Sequence, residues 1–230
     1  MKKRNNIFEI EKLRNSLYVF KDRKEAGNIL AKLIKTNKDF KLPAIVLAVP
    51  AGGVPVGIEV SKNLAIPFDV IVVKKIQLPN NTEAGFGSVG PDGEVLLNYD
   101  LIKKLRLSME SVNYQIEKTK KSVSERIKKL RGEKPFPDIA GHAVIIVDDG
   151  LASGYTMKEA IKFVKNKNPG EIIVAVPTAP LDTILSLIDD INELYCPNIR
   201  DYYPFAVADA YRNWYDLTED DVMSMLKESK

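Results

Sequence analysis

The sequence predicts an α/β protein in which helices flank a parallel sheet. Short, predominantly apolar runs recur at AIVLAV (44–49), FDVIVV (68–73), AVIIV (143–147) and EIIVAVP (171–177), the pattern of strands buried on both faces. Segments with apolar residues at helical spacing lie between them. Turn formers close the runs, so strands pass to helices through short connections.

The elements follow in order. Asp22 and Glu25 stand three apart at the head of 22–37, the spacing of a capping box, and Ala26, Ile29, Leu30, Leu33 and Ile34 repeat behind them as one helical face. Pro50-Ala51-Gly52-Gly53 ends the first run, and 53–65 reads as a helix with Pro55 in its first turn, where a missing N–H costs least. After the second run, GFGSV and EVLLN flank Pro91-Asp92-Gly93 as a hairpin. One long basic helix is expected from about 99 to 130, with Ile102, Leu105, Met109, Val112, Ile116, Val123 and Leu130 along one side. Residues 132–138 read as a linker, 156–167 as a helix, and the tail from Asp182 as acidic and aromatic.

Composition narrows the class. The chain has 230 residues, 45% of them hydrophobic, enough for a buried core. A single cysteine, Cys196, cannot form an intrachain disulfide and suits a reducing, cytoplasmic setting. One histidine, His142, excludes a histidine-rich metal cluster. The opening residues lack the apolar stretch of a secretory signal, and no run approaches a membrane span. The net charge of +3 conceals a division, for 103–131 holds ten basic residues against three acids. A charged helix face is ordinarily solvated, so no nucleic-acid partner is expected.

The segment that carries chemistry is VIIVDDGLASGYT, 144–156. Its apolar residues bring a strand to its carboxyl end, where open α/β sheets bind ligands. Asp148 and Asp149 come next; adjacent carboxylates repel, and a cation or a polyhydroxyl ligand resolves that. Small residues then lead into a helix, so backbone N–H groups, the helix dipole and two hydroxyls converge on a phosphate-sized spot. The loop lacks the Gly-Lys-Ser/Thr ending of a Walker loop and the glycine order of a dinucleotide fingerprint.

In this segment the sequence resembles the type I phosphoribosyltransferases, and within them a bacterial and archaeal branch known as predicted phosphoribosyltransferases. Their thirteen-residue signature matches VIIVDDGLASGYT throughout, with Ser153 in place of the usual Thr. The resemblance implies a Rossmann-like parallel sheet, a small hood, a hairpin and long-helix insertion at about 79–131, and one domain across the chain. The ligand it implies is 5-phosphoribosyl-1-pyrophosphate (PRPP), handled with Mg²⁺, and the acceptor it implies is a nucleobase. Ala152, Ser153, Gly154, Tyr155 and Thr156 would hold the 5-phosphate. Asp148 and Asp149 would be the catalytic acids facing the ribose, directly or through water on the metal.

Further segments extend the likeness over about 18–225. Ala51, Gly52 and Gly53 resemble the branch's pyrophosphate loop, with Ala51 where the branch carries Arg. Lys74 and Lys75 correspond to an Arg-Lys pair facing pyrophosphate. The stretch 79–89, with Glu83, Gly85 and Gly87, resembles a mobile loop. Six aromatics crowd the tail: Tyr202, Tyr203, Phe205, Tyr211, Trp214 and Tyr215. Most of them are expected to form the hood's own core, leaving Tyr211 and Trp214 to reach the acceptor. The first seventeen residues read as an extension. Family members are commonly homodimers. The alternative to an enzyme is a regulatory protein that binds PRPP without transferring from it.

Overall fold

The computed structural model describes residues 6–79 and 81–229, and only the backbone course of 81–83. In chain order its elements are β1 (Ile7–Phe8), α1 (Arg23–Asn37), β2 (Ala44–Ala48), α2 (Gly53–Leu64), β3 (Phe68–Val70), β4 (Lys74–Leu78), β5 (Asn81–Val89), β6 (Val95–Leu97), α3 (Tyr99–Lys104), α4 (Met109–Arg131), β7 (Ala143–Val147), α5 (Tyr155–Lys165), β8 (Glu171–Ala175), β9 (Thr178–Pro180), α6 (Leu181–Leu185), β10 (Glu193–Tyr195), β11 (Asn198–Arg200) and α7 (Glu219–Glu228). They divide into two compact units, Met1–Val70 with Pro137–Lys230, and Ile71–Phe136.

The first unit is the α/β body that the apolar runs predict. Its sheet has the order β1-β10-β8-β7-β2-β3, and every pairing is parallel. From β2 the chain steps outward through α2 to β3, then returns to place β7 on the other side of β2. That reversal makes the β2/β7 junction a topological switch point, where the loops leaving two neighbouring strands part and open a crevice. The register pairs Ala48 with Val147, so both strands end level and release their loops side by side.

The core explains the pattern of the runs. Every residue of β7 is buried, and Val46, Ile145, Val147, Ile173 and Ala175 pack with Leu30, Ala31 and Ile34 of α1 and Val56 and Val60 of α2. Asp22 caps α1 by accepting from the Glu25 backbone N–H at 2.9 Å, while the Glu25 carboxylate accepts from the Lys21 N–H instead of closing a full capping box. Ile7 and Phe8 join the sheet, where β1 pairs with β10, and Phe8 stacks on Tyr195 at 4.6 Å. Cys196 is buried, as its apolar setting suggests.

In the second unit β4, β5 and β6 form an antiparallel sheet, and β5 and β6 are the hairpin read from Pro91-Asp92-Gly93. The run at 68–73 is shorter as a strand than its apolar length implied, because β3 ends at Val70 and β4 begins at Lys74. The single helix expected across 99–130 is two. Arg106 adopts a left-handed conformation (φ 50°), and Ser108 restarts the helix by accepting from the Ser111 N–H at 3.2 Å. Leu105 continues the apolar spacing through the break, so periodicity alone reads across it.

Candidate functional site

The two loops at the switch point are in direct contact. Val49 donates its N–H to the Val147 carbonyl at 2.8 Å, continuing the β2–β7 ladder to the edge. The 50–53 turn then closes on the carboxylates. A Cβ at Gly52 would lie 1.9 Å from Asp149 Oδ2, and one at Gly53 would lie 2.7 Å from the Val147 carbonyl oxygen and 2.9 Å from the Asp148 Cα. At Gly53 the obstructing atoms are backbone, and at Gly52 a side chain would displace the Asp149 carboxylate, so the adjacent pair answers a packing demand. The Pro50–Ala51 peptide is cis.

Asp148 and Asp149 are half-buried at the end of β7. Asp148 Oδ1 accepts from the Asp149 backbone N–H at 2.8 Å. Burial lifts the Asp148 carboxyl well above the usual carboxylate range, and the charge of Asp149 adds to the effect. Asp149 is also raised by burial, with Arg23 pulling the other way. Two crowded acids of this kind form a seat for positive charge or for hydroxyl donors.

Beyond them the loop turns into α5. Leu151 N–H is bonded to the Thr178 carbonyl at 3.0 Å, and the Thr183 hydroxyl donates to the Ala152 carbonyl at 2.7 Å, which pins the loop to the segment after β8. Gly154 is left-handed (φ 73°) and turns the chain into the helix. Ala152, Ser153, Tyr155 and Thr156 are exposed around it. The first N–H groups of α5 have no intrahelical acceptor by construction, so the loop offers donors, hydroxyls and the positive end of a helix dipole together.

One side chain at the acidic pair lies outside the sequence-derived candidates. Arg23, in the first turn of α1, donates through Nε to Asp149 Oδ2 at 2.8 Å and through Nη1 to the Tyr215 carbonyl at 2.9 Å. A cue was available, since a cation at a helix N-terminus opposes the dipole and needs a compensating partner.

The tail also departs from expectation. Of its six aromatics only Tyr211 is buried; Phe205 and Trp214 are partly buried, and Tyr202, Tyr203 and Tyr215 are exposed. Tyr211 and Trp214 pack on each other at 5.4 Å beside Phe20, and most of the rest gather around two buried arginines. Tyr202 and Phe205 each lie 4.9 Å from the Arg200 guanidinium, and Trp214 lies 3.9 Å from that of Arg23. Cation–π contact of this kind offsets part of the desolvation of a buried guanidinium. Tyr211, expected near an acceptor, donates its hydroxyl to the Asp149 carbonyl at 2.6 Å.

Lys74, Lys75, Glu83, Gly85 and Gly87 belong to the second unit. Lys74 is exposed and donates to the Ser122 hydroxyl at 2.6 Å. Gly85 and Gly87 lie within β5, not in an irregular loop; a Cβ at Gly85 would meet the Lys75 side chain at 2.2 Å, and one at Gly87 the Leu96 carbonyl oxygen at 2.4 Å. The Glu83 side chain lies outside the described residues. A cleft of about 430 Å³ opens among Arg23, Pro55, Ile58, Glu59, Tyr215 and Met225, and neither the 50–53 turn nor the 148–156 loop lines it.

Residues 20–194 match the phosphoribosyl transferase domain. The chain belongs to this family. Relatives agree with the assignment. A Mycobacterium tuberculosis protein, named as a candidate phosphoribosyl transferase, is 32% identical over 208 residues, covering 90% of this chain and 46% of the relative. The chain thus spans about half the length of that curated relative. The crystal structure of TT1426 from Thermus thermophilus matches with a TM-score of 0.77 at 31% identity, covering 91% of this chain and 98% of the other. Transcriptional regulator GfcR of Methanococcus vannielii is 37% identical over 75 residues, 31% of this chain and 37% of that protein. For a phosphoribosyl transferase domain, the switch-point crevice is the natural place to look for the ligand.

Proposed function

We propose that this chain transfers ribose 5-phosphate from PRPP to a nucleobase-like acceptor and releases pyrophosphate. What carries the reading is the meeting, at one switch point, of a glycine turn, two crowded carboxylates and a helix-initiating loop. That set matches the three parts of the ligand. The 152–156 loop takes the 5-phosphate, Asp148 and Asp149 face the ribose hydroxyls, and the 51–53 turn offers backbone to the pyrophosphate, with Lys74 and Lys75 as the cations assigned to it by resemblance.

In the reaction the bond from ribose C1 to the pyrophosphate oxygen breaks, a C1–N bond forms, and the attacking N–H passes its proton to the departing pyrophosphate or to water. Positive charge grows on the sugar ring, and the two aspartates stabilise it electrostatically. The loop at the 5-phosphate holds the sugar by a group remote from the reacting bond, which favours orientation. Among the described residues no cluster of three or more His, Cys, Asp or Glu side chains could cage a metal. Two adjacent carboxylates do fit a hydrated Mg²⁺ that arrives with its own phosphate ligands. When bound, that ion supplies charge neutralisation at the leaving group, and Asp148 and Asp149 would hold it through water.

We take the chain as one functional domain, with a core of about 18–180, the 79–131 segment as an insertion and 181–230 as the hood, working in the cytoplasm as a homodimer. No described helix is long and apolar enough to cross a membrane. A salvage-type step that converts a free base to its nucleotide fits this chemistry. The second reading, a PRPP-binding regulator without transfer, is favoured by one observation: the Pro50-Ala51-Gly52-Gly53 turn bears no charged side chain. Pyrophosphate release measured across purine and pyrimidine bases, alongside calorimetry with Mg²⁺ and PRPP, separates the two. Binding without release for any base supports the regulator; no binding sinks both. In the enzyme reading Asp149→Asn lowers turnover by at least about a hundredfold while leaving the circular dichroism spectrum intact, and undiminished turnover removes Asp149 from the mechanism.

A further inference from the structure

Among the contacts between helix α1 and the C-terminal segment, one side chain is not explained by apolar packing alone. Arg23 is only 7% exposed, and it sits at the end of α1 where the dipole disfavours a cation. A guanidinium so placed is tolerable only with specific partners. They come from two directions. Asp149 Oδ2 accepts from Nε at 2.8 Å, while the Trp214 ring lies 3.9 Å from the guanidinium and the Tyr215 carbonyl accepts from Nη1 at 2.9 Å. Tyr211, from the same tail, holds the Asp149 carbonyl at 2.6 Å. Asp149 is therefore gripped at its backbone by Tyr211 and at its carboxylate by Arg23, which the tail itself holds.

We propose that Arg23 is the positioning residue of Asp149, and that the 211–215 segment acts through it to aim the carboxylate under the Gly52–Gly53 turn. The inference rests on the reading of Asp149 as the group that faces the ribose. Beside Asp148, an unrestrained Asp149 carboxylate turns away from its neighbour because like charges repel. Arg23 prevents this by fixing the same oxygen that lies against Gly52. Trp214 and Tyr211 are thereby assigned to a clasp on the acidic pair, not to contact with the acceptor.

Trp214 is the sole tryptophan, so its fluorescence reports this contact in the full chain. In ligand-free protein, Asp149→Ala frees the guanidinium and shifts the Trp214 emission toward that of Arg23→Met; an emission spectrum unchanged by Asp149→Ala overturns the proposal. In calorimetry with Mg²⁺ and PRPP, Arg23→Met binds about ten- to a hundredfold more weakly, the usual loss for a partner that orients a ligand-binding group. Arg23→Lys falls between, because an ammonium keeps the charge but lacks the planar fork that reaches both acceptors while lying against the Trp214 ring, and Trp214→Phe stays near wild type while Trp214→Ala does not. A purely structural role predicts lower urea midpoints with unchanged affinity in the folded variants, and that result also overturns the proposal. If Arg23→Met fails to fold, Arg23→Lys and the Trp214 pair decide. If the wild-type chain binds no PRPP, the proposed function fails, while the emission comparison still decides whether the clasp exists.

Discussion

A methyl group at position 53 tests how tightly the two switch-point loops are packed. In Gly53→Ala the new carbon lies 2.7 Å from the Val147 carbonyl oxygen and 2.9 Å from the Asp148 Cα, whereas comfortable non-bonded approach begins at roughly 3.5 Å. Both obstructing atoms are backbone, and the ladder from Ala48 to Val147 holds them in place. The end of β7 must therefore move as a unit. Overpacking of this kind costs about 1–3 kcal/mol, against roughly 0.5–1 kcal/mol returned by replacing glycine with alanine in a helix. The expected net loss is about 0.5–2 kcal/mol, or roughly 1–8 °C in Tm at about 2–4 °C per kcal/mol for a chain of this size. Gly52→Ala has a different signature. The atoms nearest its Cβ are those of the Asp149 carboxylate, which can swing aside by giving up Arg23, so stability suffers less and ligand affinity more. Urea unfolding followed by circular dichroism gives the first quantity and calorimetry with Mg²⁺ and PRPP the second. Wild-type stability in Gly53→Ala refutes the packing argument, and wild-type affinity in Gly52→Ala separates the turn from the ligand site.

Three further outcomes follow from other parts of the molecule. Lys38 bonds Glu171 at 2.7 Å and Glu193 at 3.0 Å; burial pulls its pKa down, but the two glutamates outweigh it and hold it above the ordinary value of 10.5. Its contribution is thus present below that value and lost as pH rises through the raised one, so the urea midpoint of wild type falls more steeply than that of Lys38→Met above about pH 10.5, and parallel pH curves refute the assignment. Burial pushes the Cys196 thiol up, so an aromatic disulfide reagent leaves native protein unmodified and titrates one thiol in denaturant; rapid native reaction refutes it. Ala65 ends α2 in a left-handed conformation (φ 54°), and Ala65→Gly raises stability by about 0.5–1 kcal/mol in urea unfolding, where a loss contradicts the cap.

The sequence made the body of the fold legible because strands buried on both faces are written as apolar runs. AVIIV and AIVLAV each became neighbours in one parallel sheet, and the acidic pair and phosphate loop follow directly at the end of one of them. Other features rest on information that periodicity does not hold. Leu105 and Leu107 carry apolar character through the helix break, while the signal that ends it is the backbone of Arg106 and the cap at Ser108. A cluster of aromatic letters suggests a small core, and Tyr211 and Trp214 do form part of one, yet others flank the neighbouring Arg200, and Trp214 also covers Arg23, which is remote in sequence. Arg23 itself is hidden because its partner lies 126 residues away.

That separation bears on how the protein comes to fold. The bond from Arg23 to the Tyr215 carbonyl joins residues 192 apart, and β1 pairs with β10 across a similar span. Contacts this remote are made only after a long loop has closed, which slows folding and delays the completed site until nearly all of this sequence is available. A chain halted before Tyr211 keeps the phosphate loop and both aspartates but lacks the tail that holds them. Such a fragment has the residues of a phosphoribosyl transferase domain in place before their arrangement is enforced.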